Sequence, residues 1–271
     1  MSLSRLELKY GVDPTHAADV LGKQIGDANA IGPSIGVEAL QNAYLNWADA
    51  CETQLPYLTS DLETLTMFDT ARARMIRELG PASLRPWPLI QAEVKLQVSV
   101  LERMLADLRQ RIERNGKATG HLVVPDTNIL LHYKPLYELP WPALTGSAEV
   151  RVVLPLRVIE ELDQKKYAPR KDIARRARRL LPQLRSWIGP AGAPKEIASG
   201  VSLEVMVDSG PRRRPSDADE EILCACQELK QFGSSALSLV TGDTGLQLRA
   251  QAEQLAVIAL GDNYRRVADP D

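Results

Sequence analysis

Only three cysteines occur in the 271 residues, Cys51, Cys224 and Cys226. An odd number without a regular framework excludes a disulfide-stapled secreted scaffold and points to a reducing cytoplasm. The N-terminus "MSLSRLELKYGVDPTH" lacks the apolar core of a signal peptide. No run of about 18 apolar residues occurs anywhere, so no membrane span is expected. Charge of one sign is also missing. The formal net charge is -2, so any affinity for nucleic acid has to come from a local patch. The GxxxxGK[ST] phosphate loop is absent, which argues against nucleotide hydrolysis of that kind. The three histidines, His16, His121 and His132, are too scattered for a zinc site. Cys224 and Cys226 stand two apart on an expected helix, diverge, and read as small core residues.

What is present divides into two patterns. Up to about residue 118 the periodicity is helical. Val37, Leu40, Tyr44, Trp47, Cys51 and Leu55 fall on one stripe. Ser60 and Glu63 offer a capping box, followed by Leu62, Leu65, Phe68, Met75, Ile76 and Leu79. A long amphipathic helix then carries Ile90, Val94, Leu101, Leu105, Leu108 and Ile112, with Asn115-Gly116 as its stop and "GKATG" as a linker. Residues 1–118 are thus expected to form a helical region whose stripes are core or a surface for a protein partner or a second copy.

Residues 119–271 alternate. Short β-branched runs at 122–124, 150–154, 201–207, 237–240 and 256–260 read as strands. Helical stretches at 155–166, 170–188, 217–232 and 243–254 separate them. This order predicts an α/β fold, a mainly parallel sheet flanked by helices, with ligands at the carboxyl ends of the strands.

Acids sit where such a sheet would gather them. Asp126 follows the first strand directly, at the seam of "HLVVPDTNILLHY", and Asp243 follows a later one in "LVTGDTGLQLRA". Glu160, Glu161 and Asp163 in "LPLRVIEELDQKKY" point in different directions, so one of them is expected to reach the site. Ser216 is a candidate cap for a helix whose first turn holds Asp217, Asp219 and Glu220. Carboxylates converging without an arginine or lysine partner repel one another and stay ionised if a divalent cation neutralises them. Oxygen-only ligation selects Mg²⁺ or Mn²⁺. A plainer reading exists for each acid, since first-turn acids complement the helix dipole.

Four motifs in order, "VVPDTNILLHY", "VVLPLRVIEELD", "SDADEEILCAC" and "LVTGDTGLQLRA", resemble the PIN domain, a metal-dependent ribonuclease fold, over residues 121–271. The resemblance implies a PIN-like, Rossmann-like sheet and cleavage of single-stranded RNA with Mg²⁺ or Mn²⁺. It puts the four acids on Asp126, Glu161, Asp219 and Asp243; Asp217 and Glu220 are extras that would either assist metal binding or only cap the helix. Thr127, Asn128, Thr241 and Glu220 take supporting places.

The most basic stretch, "QKKYAPRKDIARRARRLLPQLRSW", carries Arg175, Arg176 and Arg179, and Arg212, Arg213 and Arg214 precede the acidic helix. These six arginines are the expected RNA contacts; the alternative is a solvated helix face whose arginines cover apolar surface. Tyr133, Tyr167 and Trp187 offer rings for base stacking, with burial as the alternative. A catalytically silent PIN-like module binding RNA or protein is the competing function, and the presence of all four acids weighs against it. A phosphatase forming an aspartyl phosphate is disfavoured because "DTN" lacks a second aspartate.

Overall fold

Hydrophobic runs that are buried on both faces build the sheet, as parallel strands require. The computed structural model describes residues 5–32, 36–80, 83, 85–116, 119–188, 193–207, 217–233 and 235–266. The chain divides at Asn115 and Gly116 into two compact units.

The first unit is helical, with α1 Pro14–Asn29, α2 Val37–Leu58, α3 Leu62–Leu65, α4 Ala71–Arg77 and α5 Pro86–Gly116. Asp13 caps α1 by accepting the Thr15 N–H at 2.9 Å, and Pro14 takes the first helical position, where its missing donor costs nothing. The α2 stripe is buried at Leu40, Tyr44, Trp47, Cys51 and Leu55. Trp47 donates its indole N–H to Gln24 O at 2.9 Å and packs edge-on against Phe68. The expected capping box does not form. Asp61 caps α3 through the Thr64 N–H, and Thr70 starts α4 afresh through the Ala73 N–H. Leu62 in α3 and Met75 in α4 face solvent. Among the described residues no helix is long and apolar enough to cross a membrane.

The second unit holds β1 His121–Pro125, α6 Thr127–His132, α7 Trp141–Thr145, β2 Val150–Pro155, α8 Leu156–Lys165, α9 Lys171–Trp187, β3 Lys195–Ala198, β4 Val201–Met206, α10 Ala218–Phe232, β5 Leu237–Val240, α11 Thr244–Ala252 and β6 Ala256–Ile258. Sheet order is β3-β4-β2-β1-β5-β6. Every pairing is parallel except β3 with β4. The parallel neighbours need helical crossovers, and α6 to α11 supply them. Val123, Val124, Val152, Val153, Leu154, Leu203, Leu239 and Val240 form the centre of this unit's core. Val158 and Leu162 turn α8 inward, and half-buried Ile159 packs against the same core. Pro182 lies inside α9 without ending it.

The topology fixes where a ligand belongs. From β1 the chain moves to β2 and β4 on one side, then crosses to β5 on the other. In such sheets the crevice opens at the strand C-termini where the order reverses, here between β1 and β5.

Candidate active site

Asp126 leaves β1 at that reversal and caps α6. Its carboxylate is buried, with Oδ1 accepting the Ile129 N–H at 2.8 Å and Oδ2 accepting the Thr241 hydroxyl. Its main-chain N–H donates to Val240 O at 3.0 Å, locking it to β5. Burial pushes its carboxyl up to about 6. The two hydrogen bonds oppose that, and the charges of Asp219 and Asp243 reinforce it.

Asp243 leaves β5 in the equivalent place. It caps α11 through the Leu246 N–H at 2.9 Å, and its own N–H donates to Thr241 Oγ at 3.0 Å. Thr241 therefore joins the two strand-end acids. Tyr133 presses on the same turn, because a Cβ on Gly242 would lie 3.0 Å from the Tyr133 hydroxyl oxygen.

Glu161 arrives from α8 and accepts the Thr127 hydroxyl at 2.5 Å. Its neighbours turn elsewhere: Glu160 lies 4.0 Å from Arg157, and Asp163 pairs with Lys166 at 2.6 Å. Asp219 stands in the first turn of α10 and is half-buried. Burial raises its carboxyl, with Asp217 and Asp243 adding to the shift and the Arg249 guanidinium opposing it. Asp217 is the N-cap of α10, a place the sequence offered to Ser216, which lies outside the described residues. Glu220 and Asn128 are exposed.

Arg249 corrects one expectation. The carboxylates do not converge without a basic partner. The Arg249 guanidinium bridges Asp217, at 2.9 Å, and Asp219. It holds the Asp217 carboxyl below the usual carboxylate range. The sequence carries no local signal for this contact, because Arg249 and the two aspartates belong to different helices.

Asp126, Asp219 and Asp243 thus share one electrostatic neighbourhood, and Thr127 brings Glu161 beside it. The donor set is all carboxylate oxygen, which suits a hard divalent cation. Each ionised carboxylate offers about four acceptor positions, so the two hydrogen bonds to Asp126 leave room for a metal. Among the described residues, however, no group of three or more acidic, histidine or cysteine side chains is gathered closely enough to hold one. In this arrangement Arg249 provides the positive charge at Asp217 and Asp219.

Of the arginines expected to meet RNA, Arg175 and Arg179 are exposed on α9. Arg176 is half-buried and donates to Leu131 O at 3.2 Å. Arg212, Arg213 and Arg214 lie outside the described residues. Tyr167 is exposed, Tyr133 is buried, and Trp187 packs edge-on against Tyr137.

No curated protein matches the chain. A family model, the PIN domain, matches residues 123–260, from within β1 to beyond β6. Proteins of that family are generally nucleases and usually use divalent metals. The match takes in the sheet apart from the first two residues of β1, and more than half of the sequence, and the chain belongs to the PIN-domain family.

Proposed function

We propose that this chain is a Mg²⁺- or Mn²⁺-dependent endoribonuclease that hydrolyses phosphodiester bonds of single-stranded RNA. Residues 119–271 are its nuclease domain, and residues 1–118 a helical N-terminal region for a protein partner or a second copy. One observation carries the reading. Asp126 and Asp243 leave β1 and β5 of a PIN domain at the reversal of strand order, and Thr241 hydrogen-bonds to both.

Asp126, Glu161, Asp219 and Asp243 would hold the metal, with Asp217 as a further ligand. When bound, a divalent ion lowers the pKa of its water and neutralises phosphate oxygens. The chain itself supplies orientation. Thr241 and the Ile129 N–H hold the Asp126 carboxylate in one rotamer, and Thr127 does the same for Glu161. Asn128 and Glu220, both exposed, would take supporting places. Arg249, which pairs with Asp219, would have to release it for that carboxylate to hold the ion. Exposed Arg175 and Arg179, with Arg176 and Arg212–Arg214, neutralise the RNA backbone.

The experiment is cleavage of labelled single-stranded RNA by the full chain, with Mn²⁺ or with chelator, beside Asp126→Asn. Cleavage that needs metal and disappears in the variant is the expected result. The pairing of Arg249 with Asp217 and Asp219 favours a second reading, a silent module whose acids are neutralised internally. RNA binding with no cleavage under any metal would select it.

A further inference from the structure

Positive charge crowds the end of α6 remote from Asp126. His132 closes that helix. Burial holds its imidazole below the usual range, and the guanidiniums of Arg176, Arg170 and Arg265 push it the same way, against Asp172. The chain beyond β6 comes back to this point. Lys134 N–H donates to Tyr264 O at 2.9 Å, and Arg266 N–H donates to His132 O at 3.0 Å. Tyr133 and Arg265 form an isolated antiparallel bridge.

The side chains are ordered as well as charged. The Lys134 ammonium lies 5.7 Å from the centre of the Tyr264 ring, and the Arg265 guanidinium 5.6 Å from that of Tyr133. Arg266 Nε donates to Tyr133 O at 2.5 Å, and Arg176 to Leu131 O at 3.2 Å. Arg170 and Arg265 pair with Asp172 and Asp262 at 2.9 and 2.8 Å. Both pairs are exposed, so solvent screens them and a phosphate can compete for either arginine.

Two features tie this strip to the acids. The six residues of α6 span about 9 Å between Asp126 and His132. Tyr133, beneath Arg265, also abuts Gly242 in the turn between Thr241 and Asp243. Arg265 and Arg266 lie beyond the residues that match the family.

We propose that Lys134, Arg170 and Arg265, with Arg176 behind them, bind phosphates of single-stranded RNA next to the bond to be cut, on a track separate from Arg175 and Arg179. The proposal deepens the ribonuclease reading and rests on it for the identity of the strand. Lys134 and Arg265 each lie over one of the rings, Tyr264 and Tyr133, so the contact reads backbone charge and shows no base preference.

The test measures fluorescence anisotropy of a labelled oligouridylate with the full chain, in chelator, across a potassium chloride series. Lys134→Ala combined with Arg265→Ala should flatten the slope of log affinity against log salt by about 1.4, roughly 0.7 for each phosphate no longer neutralised. Lys134→Arg with Arg265→Lys should restore it. An oligoadenylate should give the same slopes. If the alanine pair melts below the wild type, Lys134→Gln with Arg170→Gln carries the same expectation. A double variant with the wild-type slope, or a wild-type chain that binds neither oligonucleotide, overturns the strip. The manganese cleavage assay keeps the two ideas apart. Cleavage with an unaltered slope removes the strip and leaves the nuclease. A flattened slope without cleavage supports the strip and removes the nuclease.

Discussion

Both oxygens of Asp126 accept hydrogen bonds, yet its carboxyl still sits near 6 rather than 3.8 because burial outweighs them. A carboxyl raised on folding contributes stability that is full below about 3.8 and disappears as pH rises through about 6. The metal-free protein should therefore lose about 2.5 kcal/mol of stability between pH 4 and pH 8 through this group, at 1.36 kcal/mol per unit. Asp126→Asn keeps an acceptor for the Ile129 N–H and removes the charge. Urea unfolding in chelator should show the variant more stable than the wild type at pH 8, with the gap closing towards pH 4. Parallel pH profiles would mean that Asp126 is solvated and the site misread. Thr241 gives a second residue-level expectation. Its hydroxyl donates to Asp126 and accepts from the Asp243 N–H. Thr241→Val leaves a buried carboxylate short of a donor and should cost about 1–3 kcal/mol in the same assay. Cleavage should fall more than RNA affinity, because the side chain orients acids and has no phosphate to hold.

At the scale of elements, Gly120 controls the entry to β1. Its φ is +80°, and an added Cβ would lie 2.4 Å from Glu149 O, on the backbone that leads into β2. Gly120→Ala meets both an unfavourable φ and a backbone clash, so it should destabilise by more than about 1 kcal/mol. A matched thermal melt of the wild type and the variant checks this, and an unchanged midpoint would mean that the β1–β2 register differs. The strands this glycine serves were legible in the sequence, since Leu122-Val123-Val124 and Val152-Val153-Leu154 are continuous apolar runs buried on both faces. β3 was not legible. Lys195-Glu196-Ile197-Ala198 is an exposed or half-buried edge that pairs antiparallel with β4, and an edge needs no apolar run. α1 escaped for a related reason, because alanines at 17, 18 and 28 fill much of its buried face. The acids Asp126 and Asp243 were legible as residues placed directly after strands. Arg249 was not, because its pairing crosses from α11 to α10, and spacing along the chain carries no information about that contact.

For the molecule as a whole, a net charge of -2 means that affinity for RNA cannot come from bulk attraction. If the chain binds RNA as proposed, that affinity has to arise from local cations beside the acids, within the unit that also contains the sheet. That unit has its own core, from Leu122 in β1 to Leu260 beyond β6. If residues 119–271 are a domain, the fragment should unfold in urea as one cooperative transition. Metal should stabilise that fragment by mass action, by about 2.7 kcal/mol at a hundredfold excess over its dissociation constant. Asp126→Asn should abolish most of this gain, whereas Lys134→Ala should leave it intact, because Lys134 meets the strand and not the ion. A fragment that unfolds gradually would remove the domain assignment. A cooperative fragment indifferent to Mn²⁺ and Mg²⁺ would instead leave Arg249 as the cation that these acids were built to hold.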